Sequence, residues 1–193
     1  HVDKSPRDLL AEVCAGRPAA KSHGDHLRAL WRGICILQPG RLGAANNGAF
    51  EQMGNKLLSA ALRYATKYQW AVFPVSEKTK KPLTPHGCKD AKKDPGAIRA
   101  WWKKYPTASI GIATGSASGL VVIDEDTDED KGLDGYHEVA QWERDNGALP
   151  ETLRAITGRG GNHLYFHYTG TDIGNRAGIL EGVDVRGEGG AGP

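Results

Sequence analysis

From Asn55 onward the apolar residues fall into two alternating rhythms. Leu57, Leu58, Ala61, Leu62 and Ala65 recur at helical spacing, which predicts an amphipathic helix over residues 55–68. WAVFPV (Trp70–Val75) is a short apolar run that suits a buried strand. Asp94 then caps a helix with Pro95 at its first position, running to about Lys104, and Tyr105–Pro106 ends it. SIGIA and LVVID predict two more strands, separated by the glycine-rich TGSASG. Residues 133–145 place Tyr136, Val139, Ala140 and Trp142 on one helical side, and Asn146–Gly147 closes that helix. LRAIT, HLYFHY and VDVRG predict three later strands. Helices alternating with strands, then strands in succession, indicate an α+β (mixed α/β) fold. No internal repeat is present.

Residues 1–52 read differently. GRPAAKSHGDH and QPGRLGAANNG are loop-like. A short helix is expected in SPRDLLAEV, with Ser5 as N-cap, Pro6 at the first helical position and Asp8 three residues after the cap. A second is expected through HLRALWRGICIL, weakened by Gly33. The only methionine, Met53, stands where the strong periodicity begins, so residues 1–52 are expected to be an appended or upstream leader before a domain spanning 53–193.

Composition narrows the class. The 193 residues, 39% hydrophobic and 25% charged, are those of an ordinary globular protein. No apolar stretch approaches the ~20 residues that span a bilayer. Cys14, Cys35 and Cys88 form no CxxC pair, so neither a disulfide framework nor a cysteine zinc site is supported, and a reducing cytoplasm is expected. The net charge of +2 conceals segregation: the segment from Lys78 to Lys104 is rich in lysine and holds only Asp90 and Asp94 as acids, and a carboxylate run follows about twenty residues later.

That run is VVIDEDTDED, Val121–Asp130, in which an apolar strand ends in six carboxylates within seven positions. Asp124 and Asp126 share a strand face, roughly 6–7 Å apart, a spacing that suits one or two hard divalent cations. Glu125 should point the other way, and Asp128, Glu129 and Asp130 should be solvated loop. An EF-hand fails, because Glu129 stands where Gly is required and Gly135 where the bidentate Glu belongs. Taken alone, an acidic strand end is more often a solvated turn than a metal site.

A second stretch is TGRGGNHLYFHY. Arg159, Gly160 and Gly161 allow close backbone approach and offer N–H groups to an anion such as phosphate. His163, Tyr165 and His167 share the next strand face, and His163 is placed to donate to a triphosphate oxygen; a plain hairpin turn with an incidental histidine explains the spacing equally well. A zinc pair of His163 and His167 lacks a third ligand. The third stretch is EGVDVRGEGG. Asp184 faces the open side if Val183 and Val185 face the core, and Arg186 either pairs with Asp184 or reaches a phosphate. No P-loop, Rossmann fingerprint or G-x-S-x-G elbow occurs.

Taken together in this order, VVIDED, TGRGGNHLYF and GVDVRGEGG resemble the three motifs of the primase–polymerase (prim-pol) domain of the archaeo-eukaryotic primase superfamily, as carried by phage and plasmid replication proteins. WAVFPV, KKPLTPHGCKDAKKDP, AWWKKYP, SIGIATGSASG and Leu149-Pro150-Glu151-Thr152 fit the same pattern, so the resemblance covers nearly all of the chain after Met53.

The resemblance implies a two-lobed fold with an RRM-like catalytic half, and DNA primase/polymerase activity with two Mg²⁺ or Mn²⁺ ions. It implies Asp124, Asp126 and Asp184 as metal ligands, with His163 on the incoming nucleotide's phosphates. Arg159, Lys80 and Lys81 are expected at phosphate or template. The implied partners are a single-stranded DNA template and primer, dNTP or NTP, and a helicase in cis or trans, with no membrane, in the cytoplasm of a bacterial or archaeal host cell. The chain stops at GEGGAGP, where the family's strand normally runs on, so a C-terminal truncation of the domain is also expected. The alternatives are a non-catalytic nucleic-acid-binding module of the same fold, or a metal-dependent phosphodiesterase or nuclease.

Overall fold

The structure is a computed structural model and describes residues 10–13, 47–157, 160–170, 173–189 and 191–192. In chain order the elements are α1 (Asn47–Lys67), β1 (Val72–Val75), α2 (Pro95–Lys104), β2 (Ser109–Ala113), β3 (Leu120–Glu125), β4 (Thr127–Asp128), β5 (Leu133–Asp134), α3 (Gly135–Asn146), β6 (Leu153–Ile156), β7 (Asn162–His167), β8 (Arg176–Leu180), β9 (Val183–Arg186) and β10 (Ala191–Gly192). Short 3₁₀ turns occupy Gly87–Asp90 and Glu129–Lys131. The fold is α+β, as the pattern predicts. The chain divides into two compact units: His1–Ile36 with Thr114–Gly190, and Leu37–Ala113 with Ala191–Pro193.

In the unit holding Leu37–Ala113, antiparallel strands in the order β1-β2-β10 form a small sheet against which α1 and α2 pack. The α1 helix starts eight residues before the expected Asn55, and Met53 falls inside it. Its interior Gly54 has a reason: a Cβ there would sit 3.1 Å from the Pro106 carbonyl oxygen. The α2 ends match expectation. Asp94 accepts the Ala97 N–H at 2.7 Å, and the Tyr105 N–H closes the last turn onto the Trp101 carbonyl. Ile98 and Trp102 form its buried face.

The other unit is built on a five-stranded antiparallel sheet, β6-β7-β3-β9-β8, with β3 at its centre. One face carries Val121, Ile123, Leu164, Phe166, Val183 and Val185, which join Val139 and Trp142 of α3 in a buried core. Leu10 and Val13, from the helical residues 10–13, are buried in the same core. The cap residues expected for that helix and the whole HLRALWRGICIL segment lie outside the described residues.

Two expectations need correction. Tyr136 is 54% exposed, because the buried face of α3 runs through Gly135, Val139 and Trp142, one position off the expected stripe. Gly135 fits there since a Cβ would collide with the Gly182 carbonyl oxygen. The helix begins at Gly135 rather than 133 because Leu133 and Asp134 pair as β5 with β4, while the Asp134 side chain caps the helix through the His137 N–H. The pattern also missed β8, whose register is irregular around Gly178 at φ 62° and whose middle residues are exposed, so no alternation betrays it.

The loop between β2 and β3 is tied to the segment after β9. Thr114 Oγ1 donates to the Gly187 carbonyl at 2.6 Å. The Ser116 N–H and hydroxyl donate to the Glu188 carboxylate at 2.8 and 2.9 Å. Those bonds hold the Glu188 carboxyl below its ordinary range.

Candidate metal centre

The strand β3 stays apolar through Ile123 because both of its faces are covered, and the first charge falls at Asp124. The antiparallel register sets Asp124 opposite His163 on β7 and opposite Asp184 on β9, so the three functional side chains form one row across the sheet's middle. Asp126 lies just past the strand end, yet its backbone is pinned: its N–H donates to the Gly182 carbonyl at 2.8 Å, and its carbonyl accepts the Gly135 N–H at 2.9 Å. One oxygen each from Asp124, Asp126 and Asp184 lie within 4.8 Å of one another. Asp124 is buried, Asp184 half-buried and Asp126 exposed, so the cluster opens to solvent on one side.

Two basic groups hold the row together. Arg186 Nη2 donates to Asp184 Oδ2 at 2.7 Å and to Asp124 Oδ2 at 3.2 Å. His163 Nε2 stands 3.1 Å from Asp124 Oδ1, and its Nδ1 lies 3.4 Å from the Tyr165 hydroxyl. The Gly178 N–H donates to Asp184 Oδ1 at 2.7 Å, which gives the irregular β8 a job. Burial alone would raise the Asp124 carboxyl, but the bonds and charges of His163 and Arg186 outweigh it and leave the group below its ordinary value. Asp126 is pushed up, by burial first and then by the charges of Asp124 and Asp184. A cluster of carboxylates that raises one of its own members has an excess of negative charge. An all-oxygen donor set with that excess fits a hard divalent cation.

The other expected residues divide. Gly160, at φ 92°, uses its N–H within a turn to the Thr157 carbonyl at 3.1 Å. Gly161 is buried where a Cβ would collide with the Glu125 carbonyl oxygen, so both glycines have a structural task beside the sheet. Arg159 lies outside the described residues. Lys80 and Lys81 are exposed in the other unit, in the turn after β1. Arg186 takes the pairing option, and its reach extends to Asp124 as well as Asp184. Asp128, expected in a solvated loop, lies instead in β4, half-buried and paired with Lys131 at 2.7 Å, because Thr127–Asp128 pair with Leu133–Asp134. Asp130 is exposed in the 3₁₀ turn that follows. His167 is exposed at the end of β7, and the triad is the one group of three or more such ligands among the described residues.

Sequence reasoning gave no task to Glu125. It is fully buried on the core side of β3, accepts from Asn162 Nδ2 at 3.0 Å, and burial pushes its carboxyl up. Alternation along the strand did imply its direction; the partner, Asn162, sits opposite it on β7 and is invisible without the register.

Fold and site together define an α+β protein with a cation-ready carboxylate triad on the central strands of an antiparallel sheet. Residues 61–191 match the family model of the bifunctional DNA primase/polymerase N-terminal domain, Prim-Pol. The match spans more than half the chain and all three motifs, so the chain belongs to this family. It is therefore a primase/polymerase-type protein of nucleotidyltransferase kind, with DNA and nucleotide as its class of substrate. No curated protein matches the chain. No helix among the described residues is long and apolar enough to cross a membrane.

Proposed function

We propose that this chain is a DNA primase/polymerase that performs template-directed nucleotidyl transfer at the Asp124–Asp126–Asp184 triad. The observation that carries the reading is the cross-strand row Asp184–Asp124–His163, with Asp126 beside it, lying wholly inside the family match. In this reading the three aspartates hold two divalent cations, Mg²⁺ or Mn²⁺. Bound there, such ions stabilise the attacking and leaving oxygens of an in-line displacement at the α-phosphate.

The chain's own groups do the rest. His163 is proposed at the nucleotide's phosphates. Its two ring nitrogens face Asp124 and the Tyr165 hydroxyl in this structure, so a phosphate contact requires one of them to exchange that partner for a phosphate oxygen. Arg186, paired with Asp124 and Asp184, offsets part of the cluster's negative charge, and its fork geometry would suit a bidentate contact with a phosphate oxygen. The Gly160–Gly161 turn precedes the strand of His163 and is proposed at the nucleotide, as is Arg159, its neighbour in sequence, with Lys80 and Lys81 proposed at phosphate or template. A role in phage or plasmid replication alongside a helicase, in the cytoplasm of a bacterial or archaeal host, belongs to the same proposal.

The test is extension of a labelled primer on a single-stranded template with dNTPs or NTPs and Mg²⁺ or Mn²⁺. Wild-type protein extends the primer, and Asp124→Ala does not while still binding the DNA. Unchanged extension by Asp124→Ala removes the triad from the chemistry. Metal-dependent cleavage of the strand without extension favours the nuclease alternative instead.

A further inference from the structure

The helices α1 and α2 belong to the unit that does not contain the triad, and they carry a charge pattern that the fold does not require. From Gly54 to the end of α1, and throughout α2, no acidic residue occurs. The cations on this stretch are Lys56, Arg63 and Lys67 on α1, and Arg99, Lys103 and Lys104 on α2. Five of the six are exposed and Arg63 is half-buried, while the opposite faces of the two helices are buried through Leu57, Ala61, Tyr64 and Ala65, and through Ile98 and Trp102.

The spacing makes this more than a solvated surface. Arg63 with Lys67, and Arg99 with Lys103, are like-charge pairs at i,i+4, which weaken a helix where a Glu–Lys pair would strengthen it. None of the six has an acidic partner among the described residues. The nearby acids are committed elsewhere: Asp94 caps α2, and Asp90 accepts from the His86 N–H at 2.8 Å and pairs with its ring at 3.0 Å. Two of the cations are held in place by aromatic faces, Lys67 over Tyr68 at 5.4 Å and Lys104 over Tyr105 at 5.0 Å.

The class of partner follows from what the surface lacks. The exposed large apolar side chains among the described residues are Tyr136 and Ile156, both in the other unit. A helix that lies in a membrane interface, or that docks a protein, needs exposed apolar anchors between its charges. Cations without anchors suit a partner that is itself a dense line of anions, bound by release of its counterions.

We infer that the exposed faces of α1 and α2 are a binding surface for the phosphate backbone of nucleic acid, independent of base sequence. The inference rests on the primase/polymerase reading for the identity of the polyanion. It adds to that reading a named surface, whose members on α1 lie well before the motif residues.

The test uses the whole chain and fluorescence anisotropy with a labelled single-stranded oligonucleotide of mixed sequence, titrated at several salt concentrations. The variant Arg63→Gln/Lys67→Gln/Arg99→Gln/Lys103→Gln is compared with a control, Lys131→Gln/Arg144→Gln/Arg154→Gln, that removes positive charge from the other unit. For a single strand, each phosphate that the protein no longer neutralises flattens the slope of log K against log salt by about 0.7. The helix variant is expected to lose affinity by about tenfold or more with a slope flatter by about 2–3, and the control to keep both. Circular dichroism melting of the helix variant at or above the wild-type temperature shows that folding is intact, since repulsive pairs have been removed.

Three outcomes overturn the proposal. Wild-type-like affinity and slope in the helix variant reject the surface while leaving the enzyme reading standing. An equal loss in the control reduces the effect to net charge. Wild-type protein that ignores the oligonucleotide but floats with vesicles containing anionic lipid replaces nucleic acid by membrane, and removes the support for the enzyme reading as well.

Discussion

The two units of this chain have opposite charge. Residues 114–190 hold fifteen Asp and Glu against six Lys and Arg, whereas residues 54–113 hold twelve Lys and Arg against three acids. The whole-chain value of +2 averages this away. The contrast sets two arrangements of charge side by side in one protein. In the acidic unit the carboxylates that matter are packed onto adjacent strands, where backbone register fixes their separation and burial sharpens their interaction. In the basic unit half of these cations lie on α1 and α2 and half between β1 and α2, all exposed except the half-buried Arg63, so they are screened by salt and act as a field. A cation needs fixed oxygens at close range; a flexible polyanion needs only density of charge.

Experiments that separate the two arrangements form a series. The largest effect is expected from Asp124→Ala, a loss in primer extension of about 10²–10³ or more, as for removal of one pre-organised electrostatic group. Anisotropy should show DNA binding nearly unchanged, and Mn²⁺ binding followed by electron paramagnetic resonance should weaken. His163→Ala should lower kcat/KM for the nucleotide by about 10–100-fold, the size of a missing charge-assisted hydrogen bond, with most of the change in KM; unaltered kinetics would remove His163 from the site. The helix variant with glutamine at 63, 67, 99 and 103 should do the reverse of Asp124→Ala, losing DNA affinity by about tenfold while binding Mn²⁺ as wild type does. If each of the Asp124 and helix variants lost both properties, the division of labour would be wrong.

Smaller effects probe how the acidic unit is built. Gly161→Ala forces a Cβ against the Glu125 carbonyl and should cost about 1–3 kcal/mol of stability, read as a lower melting temperature. The smallest concerns pH. Glu188 has a lowered folded-state carboxyl, so its bonds to Ser116 contribute stability above the unfolded value of about 4.3 and lose it as pH falls through the folded value. Wild type should therefore lose its melting-temperature advantage over Glu188→Gln as pH is lowered below about 4.3; a constant difference between pH 7 and pH 3 would show that the carboxylate contributes nothing by its charge.

Much of this was legible along the chain. The α2 boundaries follow from Asp94, Pro95 and Tyr105, because caps are local chemistry within four residues. The strands β2, β3, β7 and β9 follow from apolar runs and alternation, and the separate fates of Asp124 and Asp128 follow from where the apolar run stops. The family resemblance rested on three motifs in order, and the match over residues 61–191 bears it out.

What could not be read was set by contacts between distant segments. The exposure of Tyr136 depends on which stripe of α3 meets Gly182, a neighbour 46 residues away. The strand β8 exists because β9 pairs with it, although its own residues show no alternation. Leu10 and Val13 join the core of a sheet that begins more than a hundred positions later. Arg186 offered two options in sequence, and only the register that sets Asp124 beside Asp184 made one guanidinium bridge both.

The sequence by itself determined the local elements, the segregation of charge and which residue types stand ready for metal and phosphate, since each depends on neighbours within a turn or a strand. The tertiary structure alone decided that Asp124, Asp126 and Asp184 meet within 4.8 Å, because that distance depends on the pairing of β3 with β9, which sets Asp124 opposite a residue 60 positions later in the chain.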